Sequence, residues 1–478
     1  MNASQQNPAL DNSYARLPER FYVRSQPAAV PAPSLLAWNE ALARDLGLDG
    51  LAGDAHELAQ LFSGNKLPEG ADPIALAYAG HQFGQFVPVL GDGRAVLLGE
   101  CTDRNGRRRD LQLKGSGPTP FARRGDGRSS LGPVIREYLL SEAMHGLGIP
   151  TTRALAAVET GERVFRERAM PGGVFTRVAA SHIRVGTFEY FAARGDTDAL
   201  QALADYAIER HYPDVRAEPA PYLAFYSRVV AAQADLVAHW MAAGFIHGVM
   251  NTDNTAISGE TLDYGPCAFM DEFRYNKVFS SIDDHGRYAY GRQAPIAQWN
   301  LARLGDCLLQ LDEDQQAFEQ ELARFPGLFE NHWLRRMSHK LGLNHEQPGD
   351  ADLIGEWLAY LEEHGLDYTL SFRRLAGQLA AAQPPAFGEF ESKWRQRIGR
   401  QPEDAAEIRA IMDAANPLFI PRNHQVERAI AAAIEGDLSV FHELNTVLRQ
   451  PFTAQPKLAH FAEAPEPHER VARTFCGT

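Results

Sequence analysis

The run His247-Gly248-Val249-Met250-Asn251-Thr252-Asp253-Asn254, followed closely by Asp263-Tyr264-Gly265, constrains this chain more than any other stretch. An Asn in a polar loop and an Asp opening an Asp-aromatic-Gly turn are two oxygen ligands for a divalent ion. The rest of the sequence reads as arranged to serve them.

A protein-kinase catalytic loop has the order His-Arg-Asp, then Asn, and is followed by Asp-Phe-Gly. A base there orients the acceptor hydroxyl while the Asn and the second Asp hold metal. Asn254 and Asp263 stand where the two metal ligands belong, but Val249 stands in the slot of the base. An apolar Val accepts no proton. Either the chain is catalytically dead or another carboxylate has taken the role, and Asp253 is the nearest candidate.

The other parts of such a site occur upstream in kinase order. The strand Asp110-Leu111-Gln112-Leu113-Lys114 ends in a lysine before Gly115-Ser116-Gly117-Pro118, and a helix expected over Pro133 to His145 carries Glu137. A helical carboxylate that fixes a strand lysine so that it points at phosphate oxygens is the kinase arrangement. The segments Ala75 to Leu90 and Ala95 to Glu100 flank Gly91-Asp92-Gly93-Arg94 and read as a hairpin, with Arg94 in reach of a phosphate or nucleobase. A surplus of cations follows: Arg123, Arg124 and Arg128 around Gly125-Asp126-Gly127, then Arg177 and Arg184. They imply a strongly anionic ligand. Arg177 and Arg184 are two helical turns apart, which puts them on one face if the segment is helical; if Arg177 ends the strand Val174 to Val178, they converge across a hinge instead.

The chain has 478 residues, enough for two to three folding units, with 61 acidic against 47 basic residues and a formal charge of -14. That balance argues against nucleic acid as a partner and confines any anion site to a local cluster of cations. The opening Met1 to Gln6 lacks a basic segment before an apolar core, and the apolar run Val229 to Phe245 is broken by Gln233, Asp235 and His239, so no membrane segment and a cytoplasmic location are expected. The four cysteines, Cys101, Cys267, Cys307 and Cys476, show no metal-ligand spacing and fit a reducing compartment. Residues 1 to about 35 read as a Pro-rich surface arm, and Ser34 to Ala43 as the start of a helix with Ser34 as its cap. Helical periodicity is predicted for Leu200 to Arg210, Tyr222 to Ala243, Gln293 to Leu311, Gln315 to Phe325, Ala351 to Glu363, Tyr368 to Ala382 and Val426 to Glu435.

Taken together, Gly80-His81-Gln82-Phe83-Gly84, Leu113-Lys114-Gly115-Ser116-Gly117, Gly125-Asp126-Gly127-Arg128, Val174-Phe175-Thr176-Arg177, Gly248 to Asn254, Asp263-Tyr264-Gly265-Pro266 and Asn416-Pro417 resemble the selenoprotein O family of kinase-like protein adenylyltransferases over nearly the whole length. The resemblance implies an α+β, protein-kinase-like bilobal fold. Its expected parts are an N-terminal arm and helices over 1–70, a small sheet-rich lobe over 71–180, a helical lobe with the catalytic loop over 181–310, and a helical extension with a terminal Cys over 311–478. It implies ATP bound inverted relative to a kinase, with transfer of AMP to Ser, Thr or Tyr hydroxyls of proteins, self-modification included, and release of pyrophosphate. By the same likeness Lys114, Arg177 and Arg184 grip the inner phosphates and Glu137 orients Lys114. Gly91, Gly93, Arg94, Asp126 and Gly127 line the nucleotide pocket, Asn254 and Asp263 bind Mg²⁺ or Mn²⁺, and Asp253 is the base. Family members often end in selenocysteine or cysteine, and here sulfur stands at Cys476; a reversible bridge from Cys476 to Cys267 is expected to set the loop after Asp263, with Cys101 and Cys307 inert.

Two other readings stay open. His247-Gly248 also looks like the loop of aminoglycoside kinases, which suggests a phosphotransferase, and Val249 in place of the base suggests a non-catalytic nucleotide-binding scaffold. UTP remains an alternative donor, because nothing in the pocket motifs reads the base.

Overall fold

Strand alternation in Asp110 to Lys114 decides which face of the sheet becomes the site: Leu111 and Leu113 point one way, and Gln112 and Lys114 the other. The computed structural model describes residues 9–51, 54–380 and 385–475. Its strands, in chain order, are β1 (Tyr22–Arg24), β2 (Ser34–Trp38), β3 (Ile74–Leu76), β4 (Gly80–Gln82), β5 (Gln85–Val87), β6 (Ala95–Thr102), β7 (Arg108–Lys114), β8 (Ser129–Ser130), β9 (Arg153–Phe165), β10 (Ala169–Ala179), β11 (Phe245–Ile246) and β12 (Ala268–Phe269). Among the described residues eight of them form one antiparallel sheet in the order β1-β3-β6-β7-β10-β9-β2, with β8 against β10. β4 pairs with β5, and β11 with β12, as two separate ribbons.

The helices are α1 (Glu40–Asp45), α2 (Ala55–Ser63), α3 (Leu131–Gly146), α4 (Val185–Ala192), α5 (Thr197–His211), α6 (Pro221–Ala243), α7 (Gln293–Leu308), α8 (Gln315–Ala323), α9 (Phe325–Lys340), α10 (Asp350–His364), α11 (Tyr368–Gly377), α12 (Gly388–Ile398), α13 (Ala405–Ala415), α14 (Asn423–Ile434) and α15 (Ser439–Leu448). On the Leu111 side of the sheet, Leu42, Leu58 and Phe62 from α1 and α2 close a core on Leu155, Val158 and Val174. On the other side α3 buries Val134, Ile135 and Leu139 against Leu97, Ala157 and Phe175. Each of these Val, Ile, Leu and Phe side chains contributes roughly 1.5–3 kcal/mol by leaving water. The outer side of α3 is covered in turn by α14 and α15, with Tyr138 edge-on to Phe441 at 5.4 Å. α3 is therefore buried around nearly its whole circumference, which fixes Glu137 relative to β7. Among the described residues no helix is long and apolar enough to cross a membrane.

Several expectations change. Ser34 to Trp38 is a strand, not a helix start, because Leu36 and Ala37 are buried where the segment pairs with β9; the helix begins at Glu40, capped by the Asn39 side chain, which accepts from Leu42 N at 3.2 Å. The Pro-rich arm is more than a surface strap, since it supplies β1 and β2, the strands at the two ends of the sheet, and buries Tyr14 and Phe21. The expected hairpin around Gly91 is interrupted: β3 meets β6 at Ile74 and Leu97, but the chain between them leaves the sheet to form the β4–β5 ribbon. β1, β8, β9, β11, β12, α2, α4, α9, α12, α13 and α15 had no counterpart in the predicted elements. Cys476 lies outside the described residues; Cys101, Cys267 and Cys307 are buried free thiols, and burial pushes the Cys267 thiol up to about 12.

Arg422, buried at the start of α14, ties the C-terminal helices to the chain after β12: its Nη1 donates to Asp271 Oδ1 at 2.6 Å and to Asp367 Oδ2 at 2.7 Å. Removing one partner of a buried ion cluster strands the others. Arg422→Met is expected to lower unfolding stability by about 3–5 kcal/mol in urea titrations. A loss within experimental error of zero contradicts a structural role for this cluster.

Candidate active site

Lys114 is the last residue of β7, in register with Ala95 on β6 and Phe175 on β10. Its ammonium donates to Glu137 Oε2 of α3 at 2.6 Å and to Asp263 Oδ1 at 2.5 Å. Arg177, in register with Gln112, donates to Gln112 Oε1 at 2.7 Å and to Glu137 Oε1 at 3.3 Å. Two cations and two carboxylates thus interlock at the edge of the core, so that each buried charge has an opposite one in contact. Burial alone would raise Asp263, but Lys114 and then Arg177 outweigh it and hold its carboxylate well below the usual range. Asp263 adopts a φ of 68°, left-handed for a residue with a Cβ. The turn is pinned from below: His247, kept neutral by burial, donates from Nε2 to the Leu262 carbonyl at 3.0 Å, and the Tyr264 hydroxyl meets Thr151.

Asp253 lies in the short turn Thr252–Asn254. Burial pushes its carboxyl up to about 6, with the Asp263 charge adding to the effect and Arg184, its own backbone and Gln82 opposing it. Gln82 Nε2 approaches Oδ2 at 3.4 Å, and Oδ1 is buried with no partner among the described residues. Gly80 makes room for this side chain, because a Cβ there would stand 2.6 Å from Asp253 Oδ1.

Two cavities that share Arg94 open onto these groups. The deeper, of about 180 Å³, is lined by Lys114, Glu137, Asp263 and Arg136, and the wider, of about 760 Å³, by Gly91, Gly93, Asp126, Gly127 and Asp253. The Gly91 turn has φ 67°, and a Cβ on Gly91 would strike the Phe121 ring at 2.3 Å. Its neighbour Asp92 is buried and accepts from Gln112 Nε2 at 3.0 Å and Arg184 Nη1 at 3.4 Å.

Of the residues singled out in the sequence, Gly91, Gly93, Arg94, Lys114, Asp126, Gly127, Glu137, Asp253 and Asp263 line one cavity or the other. Arg177 and Arg184 do not line them but lie beneath. Arg177 belongs to β10 and Arg184 precedes α4, so they sit on different elements instead of one helix face. Each has a buried Nε without a partner among the described residues. Arg128 is occupied by the N-terminal arm, through Ala28 O at 3.1 Å and Ala29 O at 3.0 Å. Asn254 spends its amide nitrogen on Val249 O at 3.1 Å, which leaves its carbonyl oxygen available. That oxygen and the ionised Asp263 are hard donors of the kind that suit Mg²⁺ or Mn²⁺.

Sequence reasoning missed the support around Asp253. His81 Nδ1 meets Glu189 Oε1 at 2.5 Å, Glu189 Oε2 accepts from Thr252 Oγ1 at 2.5 Å, and Thr252 Oγ1 also accepts from His81 N at 2.7 Å. It missed Arg166 too, which grips Asp126 through two bonds of 2.8 and 3.1 Å and holds its carboxyl below the usual range. These partners are far apart in the chain, and no local periodicity joins them.

The chain matches the family described as protein adenylyltransferase SelO over residues 5–449. It is 56% identical over 485 residues to the protein nucleotidyltransferase YdiU of Rhizobium leguminosarum bv. trifolii, covering 98% of this chain and 97% of that protein. The protein of the same name from Rhodopseudomonas palustris is 56% identical over 485 residues, with 98% and 99% covered, and that of Agrobacterium fabrum 55% over 483 residues, with the same coverage.

The raised carboxyl of Asp253 has a thermodynamic consequence. A folded-state pKa near 6, above the usual 3.8, means the folded chain holds the proton more tightly, so stability falls as pH rises from about 4 to about 6 and then levels. Asp253→Asn is expected to be more stable than the native chain by on the order of 2 kcal/mol at pH 7.5, and by less at pH 4.5, in urea titrations. An equal difference at both pH values would refute the burial of this charge.

Proposed function

The chain belongs to the SelO family of protein adenylyltransferases, and from that premise we propose that this nucleotidyltransferase, whose acceptors are proteins, moves AMP from ATP to Ser, Thr or Tyr hydroxyls with release of pyrophosphate. The observation that carries the reading is the Asp253 carboxylate, with an unpartnered buried Oδ1 and a pKa near 6, facing the wide cavity while Val249 fills the slot of a kinase base. A group of that pKa is ionised at neutral pH yet basic enough to take a hydroxyl proton.

In this reading the sheet and the helices after it form the two lobes of a kinase-like fold, with the boundaries near 180 and 310 expected from the sequence. ATP enters inverted, its terminal phosphate toward Lys114 and the cations beneath, and its α-phosphorus toward Asp253. A terminal phosphate carries more charge than a bridging one, and the orphan Nε groups of Arg177 and Arg184 are donors in reserve under the site. Lys114, oriented by Glu137, grips the inner phosphates with those arginines; Gly91, Gly93, Arg94, Asp126 and Gly127 line the nucleotide pocket. Asn254 and Asp263 would hold Mg²⁺ or Mn²⁺, which would supply positive charge against the phosphate oxygens. Asp253 removes the acceptor proton, and Gln82 orients it. UTP is the alternative donor. The chain's own exposed hydroxyls are acceptors in self-modification, and the cytoplasm is the compartment.

Control by oxidation is part of the proposal. Thr474 hydrogen-bonds the Pro266 carbonyl and pairs with Ser280, which brings the last described residues beside Cys267. Cys476 follows two residues later. Peptide mapping under oxidant is expected to recover a Cys267–Cys476 disulfide; recovery of Cys476 only as free thiol removes it.

Incubation with ATP labelled at either phosphate tests the reaction itself. Label is expected on protein from the α position and not from the γ position. Asp253→Ala is expected to lower transfer by about two to four orders of magnitude while nucleotide binding survives. The native rate is expected to rise with pH through about 6. Label from the γ position would indicate a phosphotransferase, and full activity of Asp253→Ala would exclude this base.

A further inference from the structure

A third cavity, of about 430 Å³, lies between the end of α3, the end of α6, α9 and α13, and shares no lining residue with the other two. That volume is within the range of small-molecule sites, roughly 300–1,000 Å³. Its walls are mostly apolar: Leu147, Ile149, Ala242, Ile411, Pro417 and Phe452. The polar groups that line it are Lys340, Arg336, His239, His339 and Asn344, with no carboxylate among them.

Lys340 is the unusual member. It is only 4% exposed and has no ion pair or side-chain hydrogen bond among the described residues. Its Nζ lies 4.3 Å from the Phe372 ring centre and 5.3 Å from that of Tyr368. A desolvated cation–π contact recovers less than burying an unpaired ammonium costs. The rings therefore do not offset the burial, which pulls the amine down to about 7. Arg336 already has an anion, because its Nη2 donates to Asp235 Oδ1 at 2.6 Å, and it also contacts His239 Nε2 at 2.6 Å. Burial holds both cavity histidines below their ordinary value, so they are largely neutral at pH 7. Lys340, part of the lining of an apolar chamber, thus has no counter-ion among the described residues. If the lysine served packing alone, a methionine would fill the same space without the desolvation cost.

We propose that this cavity binds a small amphipathic carboxylate, with its apolar body against the wall of Ile411, Pro417, Phe452, Leu147 and Ile149 and its carboxylate on Lys340. A monoanion suits the site better than a phosphate dianion, which needs several charge-assisted donors where one is free. Leu147 and Ile149 follow directly on α3, the helix that carries Glu137, so the ligand touches the far end of the element that orients Lys114.

Calorimetric titration of the full chain with octanoate at pH 7, and separately with 1-octanol, tests this. Octanoate is expected to bind saturably at one site with uptake of protons onto Lys340, read from the buffer dependence of the heat; octanol binding takes up none. Lys340→Met is expected to weaken octanoate at least tenfold and leave octanol unchanged or tighter. Ala414→Trp, at the exposed mouth, is expected to weaken both ligands and serves as a second variant that leaves Lys340 in place. Absence of saturable octanoate binding to the native chain overturns the proposal. So does an Lys340→Met variant that binds octanoate as tightly as the native chain.

Discussion

Lys114 between Glu137 and Asp263 is the contact on which the rest of the structure depends. An ammonium in that position is stable only if both carboxylates arrive, and each comes from a different part of the chain. The end of β7 supplies the lysine, α3 the glutamate, and the turn after the short Thr252–Asn254 helix the aspartate. Arg177 closes the set from β10, so three elements of the sheet-and-α3 unit and one loop of the helical part must be in register at once. Leaving any one charge unpaired at this depth costs more than a typical surface ion pair contributes.

That requirement explains the investment in α3 and in the C-terminal helices. α3 is held on one side by Leu97 and Phe175 and on the other by Phe441, and Arg422 fastens the start of α14 to Asp271 just beyond the Asp-Tyr-Gly turn. The extension thus supports the two carboxylates from behind. Against this stand the unfavourable features of the site: a left-handed Asp263, a desolvated Asp253 and two arginines whose Nε groups have no partner among the described residues. Such costs persist only where the surroundings over-determine the geometry.

How much of this was legible in the sequence follows from the range over which each signal acts. Asp110 to Lys114 declared a strand by alternation, and Pro133 to His145 a helix by pattern, so the Lys114–Glu137 pair could be read from the residues in between. The order of Asn254 and Asp263 pointed to two loops, of which the second reaches Lys114. Ser34 to Trp38 misled because its partner, β9, lies over a hundred residues away in the chain and its pairing outweighs the local helix signal. The ring of His81, Glu189 and Thr252 beneath Asp253, and the clasp of Arg166 on Asp126, were invisible for the same reason: they exist only once the chain is folded. Arg177 and Arg184 were grouped in the sequence as cations, but no spacing indicated that one would pair with Glu137 and the other with Asp92, both outside the cavity linings.

The proposed reaction depends on which end of the nucleotide meets Asp253. A crystal structure of the chain with Mg²⁺ and a non-hydrolysable ATP analogue measures that directly. The expected result is the α-phosphorus beside Asp253, with the terminal phosphate toward Lys114 and the arginines beneath it. A terminal phosphorus beside Asp253, with the adenosine buried over Lys114, would contradict adenylyl transfer by an inverted nucleotide.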